Sequence, residues 1–241
     1  MNILYLVHAN YWDDYSGTPI LTQEFADLAV KNNYQVCLLT PSHKKKENVF
    51  EKNKINYFNV KAFKNWSLDA FSENNIVTLK DFKLPFKPDI VHVIDWVNFD
   101  PSVLNYLKKL NVPMIRHVNS FEDLCYFMHP IYYNKDNSLC EAPLDMKTCS
   151  KCISQNNFDK KKIFKKIKSL IFNEKKKDYK NIFSKISGRD NFINLQMNKI
   201  YDHLIFGSKS FADYFKSHIN FRNKISIISH GVNKKKINKK G

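Results

Sequence analysis

Seven short apolar runs, separated by stretches with helical periodicity, constrain the fold of this chain most strongly. The runs occupy residues 3–8, 35–40, 55–60, 89–94, 113–118, 203–207 and 224–228. Several are unbroken hydrophobic stretches, which is typical of parallel strands covered on both faces. Between the first two runs, Leu21, Phe25, Leu28 and Ala29 recur at helical spacing. The alternation predicts βαβ units, and therefore an α/β protein with a parallel sheet and helices on both faces.

The composition predicts a folded domain and limits the classes of partner that the chain could bind. The chain has 241 residues, of which 43% are hydrophobic, and this content excludes a disordered protein. Its formal net charge is +16, which makes nucleic acid, anionic membrane and phosphorylated substrates candidate partners. Eleven Lys and three acidic residues fall in residues 158–185, and five more Lys in residues 234–240. Because the basic residues are concentrated and only three are Arg, nucleic acid is the less favoured partner.

No apolar run approaches the roughly 18–20 residues that a membrane-spanning helix needs. The N-terminal run is too short for a signal sequence and has no basic region before it, so it is predicted to be the first strand. The sequence therefore predicts a cytoplasmic protein.

Polar residues follow the predicted strands at the positions where open α/β sheets bind ligands. Asp95 follows the run at 89–94 and Ser208 follows the run at 203–207. The segment after the first run contains Ser16, Gly17 and Thr18 and leads into a helix. Glycine allows close backbone approach, and the free N–H groups of a helix start suit an anion or a sugar hydroxyl. An ordinary turn and helix cap would give the same pattern, and both interpretations stay open at this point.

Four segments, in order, resemble retaining glycosyltransferases of the family 4 (group 1) type. Gly17-Thr18-Pro19, a helix and residues 34–41 resemble the family's G-G-x-E opening and its G-H-x-V-x-V-x-T strand. Residues 88–93 resemble P-D-[IV]-[VI]-H-x-H, and residues 205–211 resemble [IV]-x-x-S-x-[FA]. Residues 224–233 resemble K-[IV]-x-V-I-P-N-G-V-D.

The resemblance implies a GT-B fold, in which two Rossmann-like halves face each other across a cleft. Residues 1–232 would be the acceptor-side half, with a cysteine-containing loop at 119–157 and a Lys-rich helical segment at 158–185. Residues 233–241 would begin the linker to a C-terminal domain, absent here, that binds the nucleotide-sugar donor. The implied activity is sugar transfer to a glycan or lipid-linked acceptor in bacterial surface polysaccharide synthesis, with this half inactive alone.

The resemblance also implies roles for individual residues. Ser16, Gly17 and Thr18 would contact the acceptor or the donor phosphate, although Ser16 replaces the first glycine of the family pair. Asn119 stands where the family commonly has a His, and an amide cannot titrate. Any acid–base role would then pass to His117. A buried core histidine is the alternative for His117 and also for His92.

Four cysteines lie inside the predicted loop: Cys125, Cys140, Cys149 and Cys152. The C-x2-C pair and the two further thiols within about thirty residues match a structural zinc set. The surrounding residues also resemble a cysteine-bearing subset of the same family. Four reduced thiols that only pack are the alternative to a structural zinc ion.

Residues 160–172 combine an apolar helical stripe with lysines on the remaining surface. Such a helix can lie on an anionic membrane surface, or it can pack its stripe on the domain and leave its lysines solvated. The alternative to a glycosyltransferase is therefore a basic binding module, stabilised by a metal ion, that docks on anionic lipid or nucleic acid without catalysis.

Overall fold

The computed structural model describes residues 1–42, 48–61, 83–125, 140, 145–156 and 175–231. Within these ranges the strands are β1 (Asn2–Leu6), β2 (Gln35–Ser42), β3 (Asn48–Lys52), β4 (Ile55–Lys61), β5 (Ile90–Val93), β6 (Met114–Val118), β7 (His203–Phe206) and β8 (Lys224–Ile227). The helices are α1 (Gly17–Lys31), α2 (Pro101–Lys108), α3 (Met146–Asn156), α4 (Lys175–Leu195) and α5 (Lys209–His218). A π-helical turn, Gln196–Ile200, follows α4.

The strands form one sheet of eight, in the order β3-β4-β2-β1-β5-β6-β7-β8. Every neighbouring pair is parallel except β3 and β4. Each of the seven predicted runs coincides with a strand, so the α/β class with a mostly parallel sheet is confirmed. The chain first builds outward from β1 to β2 and β4, and then from β5 to β8 on the other side. The order therefore reverses between β1 and β5, the position at which open α/β sheets bind ligands.

Strand β3 is the one that the apolar pattern did not predict. It pairs antiparallel with β4 through a turn in which Asn53 and Lys54 both have positive φ, 54° and 63°. Two successive left-handed residues are the hallmark of a type I′ hairpin. Since β3 lies at the sheet edge and Val49 is 49% exposed, its sequence needs no continuous apolar run.

Two apolar layers cover the two faces of the sheet. On one face, Ile3 and Tyr5 of β1 pack with Ala26 and Ala29 of α1. On the other face, the alternate β1 residues Leu4 and Leu6 belong to a larger cluster that includes residues from α2, α4 and α5. Helices therefore flank both faces, as predicted.

Local sequence sets the helix ends. Asp100 caps α2 by accepting a hydrogen bond from the Ser102 N–H at 2.7 Å, and Pro101 occupies the first turn. Ser208 caps α5 by accepting from the Phe211 N–H at 3.2 Å. Asn33, just after α1, has the left-handed backbone expected there, with φ of 62°.

The region predicted as a long loop at 119–157 contains a helix. Cys149 and Cys152 lie on α3, which packs against α4, so the C-x2-C pair is helical and not part of a tight turn. Of the predicted Lys-rich segment, residues 175–185 belong to α4, which continues to Leu195. The amphipathic stretch at 160–172 and the lysines at 234–240 lie outside the described residues. Among the described helices, none combines the length and the apolarity required to cross a membrane.

Candidate functional site

A histidine held between two carboxylates marks the point where the strand order reverses. His8 follows β1 and Asp95 follows β5, so both lie at the carboxyl edge of the sheet. The His8 Nδ1 and the Asp95 Oδ2 are 2.6 Å apart, and the His8 Nε2 and the Asp14 Oδ2 are 2.9 Å apart. Asp95 is buried, with 4% exposure. We call His8, Asp14 and Asp95 the acidic triad.

The triad carries a net negative charge near neutral pH. Burial lowers the pKa of His8, but the hydrogen bonds and charges of Asp95 and Asp14 outweigh it and raise the pKa to about 9. His8 is then an imidazolium whose two N–H groups both donate to carboxylates, and it has no lone pair with which to act as a base. One cation and two carboxylates leave acceptor oxygens at the site. The Asp95 Oδ1 is buried and has no hydrogen-bond partner among the described residues.

The same triad reaches the start of α1. The pKa of Asp14 is lowered by the hydrogen bond with His8, and Ser16 bonds to the carboxylate through both its side chain and its backbone. The helix therefore begins beside a carboxylate that its own chain supplies. A Cβ built on Gly17 meets nothing within 4 Å, so open space lies in front of Gly17. Asp14 makes this helix start better suited to hydroxyl groups than to a phosphate.

Stacked rings occupy the neighbouring strands on the α1 face of the sheet. His92 and His117 have centroids 5.7 Å apart and an interplanar angle of 3°. His117 and His230 follow at 5.3 Å and 14°, and Phe25 of α1 stacks on both His92 and His117. Burial, and then the neighbouring His117 and Arg116, lower the pKa of His92 to about 3. Burial, and then His230 and Arg116, lower the pKa of His117 to about 4.

Unsatisfied polar atoms collect at the end of β6. Both ring nitrogens of His117 and both amide atoms of Asn119 are buried without a hydrogen-bond partner among the described residues. A neutral imidazole offers one donor and one acceptor, and an amide offers both kinds of group. With a pKa near 4, His117 is a weak general base at pH 7. The pair is better suited to orienting a hydroxylated ligand.

The strands β7 and β8 complete this edge. The His230 Nε2 lies 3.0 Å from a Cβ built on Gly207, so the glycine leaves room for the ring. Ser208 is adjacent, and its hydroxyl already accepts from Phe211 and contacts the Ser210 hydroxyl at 3.2 Å. The topology thus brings Asp95, His117, Asn119 and Ser208 to one edge of the sheet. The α1 start, with Ser16, Gly17 and Thr18, joins them through Asp14.

A buried ionic cluster supports the edge from behind. Arg116, with 0% exposure, donates to Glu122, to the Asp123 Oδ2 at 3.1 Å and to the Ile94 carbonyl oxygen at 2.5 Å. Trp96 donates to the Asp123 Oδ1 at 2.8 Å. Burial raises the pKa of Glu122 against the opposing effect of Arg116, because one guanidinium faces several carboxyl groups. Arg189 adds a bond to the Glu122 carbonyl oxygen at 2.5 Å.

The four cysteines are all half-buried and none is in a disulfide. The Tyr214 hydroxyl donates to the Cys140 carbonyl oxygen at 3.2 Å, which ties that cysteine to α5. Within the described ranges, no three His, Cys, Asp or Glu side chains form a group that could hold a metal ion. The zinc site remains a prediction from the spacing.

Sequence reasoning missed His8, Asp14 and the partners of Arg116. The available signal was position, because His8 comes two residues after β1 and opens the same loop as Gly17. A single histidine followed by ordinary aspartates carries no motif, so only the pairing of β1 with β5 shows that His8 and Asp95 meet.

No family model and no curated protein sequence matches this chain. Among solved structures, a sucrose-phosphate synthase from Thermosynechococcus elongatus superposes with a TM-score of 0.46 and 11% identity, covering 98% of this chain and 93% of that one. An E. coli structure, described as trehalose-6-phosphate bound with UDP-2-fluoro glucose, gives 0.40 and 10%, covering 98% and 50%. The overlaps are loose, and the fold assignment rests on the sheet order.

Proposed function

We propose that this chain is the acceptor-binding domain of a glycosyltransferase that uses a nucleotide sugar. The supporting sequence observation is the order of the four segments that resemble family 4 enzymes. One structural observation carries the proposal: those segments end at a single edge of the sheet, beside the reversal of strand order. There the buried Asp95 Oδ1 and the amide of Asn119 have no partners among the described residues.

The charge of the edge favours a neutral, hydroxyl-rich acceptor. The acidic triad leaves carboxylate oxygens that accept hydrogen bonds from sugar hydroxyls, and Asn119 and His117 supply both donors and acceptors. A phosphate at the same place would meet the carboxylates of Asp14 and Asp95, and like charges in a partly buried site repel strongly. In this proposal the domain holds the sugar acceptor and a partner domain holds the nucleotide. His117 and Asn119 orient the reacting hydroxyl.

We further propose that the acceptor is a glycan or lipid-linked glycan of bacterial surface polysaccharide synthesis, and that the domain alone transfers no sugar. Its support is the family resemblance. A structural zinc ion on the four cysteines and a basic helix that docks on the inner membrane face belong to the same proposal.

A glycan microarray tests acceptor binding directly. The chain is expected to bind a subset of neutral glycans, and Asp95→Asn and Asn119→Ala are expected to abolish that binding without unfolding the protein, as checked by circular dichroism. Ser217→Ala, at an exposed position near the end of α5 whose hydroxyl donates to the Tyr214 carbonyl oxygen of the same helix, is the matched control. Absence of any glycan binding, or binding that survives both substitutions, would contradict the proposal.

A further inference from the structure

A pocket of about 340 Å³ lies on the flank of α1, and its lining includes neither the acidic triad nor the stacked histidines. Its lining residues are Tyr11, Tyr15, Ile20, Gln23, Asp27 and Asn53. They come from three elements: the loop before α1, one face of α1, and the turn between β3 and β4. We call this site the tyrosine pocket. From its chemistry we infer that it binds a neutral saccharide unit.

An exposed aromatic surface borders the pocket. Tyr15 is 81% exposed, and a large ring left in water beside a cavity offers a flat apolar face together with a polar hydroxyl. Tyr11 forms part of an ordered aromatic group, since its ring centroid lies 5.0 Å from that of Trp12, which lies 4.8 Å from that of Tyr57. Sugar rings present C–H faces that stack on such surfaces.

A fixed row of hydrogen-bonding groups lies along the pocket. The Tyr57 hydroxyl donates to the Gln23 Oε1 at 3.0 Å, and the Gln23 Nε2 donates to the Asp27 Oδ1 at 2.7 Å. This relay orients Gln23, which is 9% exposed, and leaves lone pairs on Asp27 that face solvent. The amide of Asn53 adds a donor and an acceptor from the turn. A site with oriented acceptors beside an aromatic face suits vicinal hydroxyl groups.

Opposite charges border the pocket. Asp27 supplies a carboxylate, and the Lys52 Nζ lies 4.4 Å from the ring centroid of Trp12 and 5.9 Å from that of Tyr11. The formal charges of these two side chains cancel. The pocket therefore favours an uncharged polyol over a phosphate or a nucleotide.

The tyrosine pocket shares a loop with the candidate site. The interpretation of the pocket as part of an acceptor site rests on the proposed function. Tyr11 and Tyr15 belong to the same loop as Asp14, whose carboxylate bonds to His8 at the sheet edge. A glycan held at the edge by the acidic triad has a second sugar-binding surface on the outer side of this loop. The tyrosine pocket would then select acceptors by a sugar unit that lies remote from the reacting hydroxyl.

Nuclear magnetic resonance titration of the full chain tests the inference with maltose, lactose and N,N′-diacetylchitobiose, and with inorganic phosphate for comparison. At least one disaccharide is expected to shift the resonances of Tyr15 and Asn53. Tyr15→Ala and Asp27→Asn should each weaken that disaccharide roughly tenfold, as loss of one stacking or charged contact predicts. Tyr15→Phe should retain most of the affinity. Tyr34→Ala, at a 40% exposed tyrosine after α1, should change nothing.

The outcomes separate this inference from the proposed function. Three results would each overturn the inference that the tyrosine pocket binds a saccharide. They are unshifted resonances with all three disaccharides, preferential shifts with phosphate, and full affinity in both Tyr15→Ala and Asp27→Asn. If Asp95→Asn abolishes array binding while the pocket variants bind normally, the pocket fails and the proposed function stands. If no array glycan binds but a disaccharide fills the pocket, the proposed function fails and the pocket stands.

Discussion

Replacement of His8 by glutamine should remove a pH-dependent contribution to stability that the acidic triad creates. The pKa of His8 is raised from 6.5 to about 9, chiefly by the hydrogen bond and charge of Asp95 against the effect of burial. Each pH unit by which folding raises a pKa corresponds to about 1.4 kcal/mol. The imidazolium therefore stabilises the folded chain by about 3 kcal/mol relative to a neutral side chain.

The direction follows from the raised folded pKa. Below about pH 6.5 the histidine is protonated in both the folded and the unfolded chain, and its full contribution is present. The contribution decreases as the pH rises, and it is lost once the pH passes about 9. Urea denaturation of the native chain and His8→Gln, followed by circular dichroism from pH 6 to pH 10, measures the difference in unfolding free energy. That difference should fall by about 3 kcal/mol across the range.

The difference between the two proteins isolates the triad. Every other titratable group is present in both chains, so its contribution cancels from the difference. His218→Gln is the matched control, because burial lowers the pKa of His218 and its contribution changes on the acid side. Stability curves of the native chain and His8→Gln that run parallel from pH 6 to pH 10 would refute the reasoning.

Four further predictions follow from the structure and the sequence. Arg116→Met should lower the unfolding free energy by about 3–5 kcal/mol, since Glu122 and Asp123 would lose their buried cation. The control, Arg222→Met at an exposed site, should change it by less than about 0.5 kcal/mol. Urea denaturation measures both values, and equal losses would contradict the stabilising role of the buried Arg116. Trp96→Phe should cost about 1–3 kcal/mol by leaving Asp123 short of a donor, with Phe192→Leu, in the ring contact beside it, as a packing comparison. Metal analysis of the purified chain should find about one zinc ion per chain, and a metal-free protein would exclude the site. Flotation with anionic liposomes should be lost when glutamate replaces Lys161, Lys162, Lys165 and Lys166. Unchanged flotation would exclude membrane docking by these lysines.

Most of the sheet could be predicted because the parallel strands are buried on both faces and read as apolar runs. Strand β3 was not predicted because an edge strand needs apolar residues on one side only. Of its central residues, Phe50 alone packs inward, with its ring stacked on that of Tyr57. Helix α3 was not predicted for a different reason. The spacing of Cys149 and Cys152 favoured a zinc-binding loop, whereas both residues lie on a helix that packs on α4.

The candidate site was predictable as a location and not as a set of contacts. Asp95 and Ser208 are predicted from the convergence of strand ends in α/β sheets, and Asn119 from the family resemblance. The sheet order brings all three to one edge. The bonding of His8 depends on β1 lying next to β5, which are separated by more than eighty residues in the sequence. The carboxyl partners of Arg116 are local, six and seven residues further along the chain, but they meet it through an irregular turn after β6 that no periodic pattern predicts.

The distribution of arginine in this chain gains a meaning from the buried cluster. Only three of its 39 basic residues are arginine, and Arg116 and Arg189 are 0% and 3% exposed. Arg116 bonds to a carbonyl oxygen and two carboxyl groups at once, which needs a planar fork of donors that a lysine ammonium lacks. Two of the three arginines are therefore buried, where the geometry of the donors and not charge alone is required, whereas the third, Arg222, is exposed. The bonds of Arg116 to Glu122 and Asp123 fix the path by which the chain leaves β6 toward Cys125.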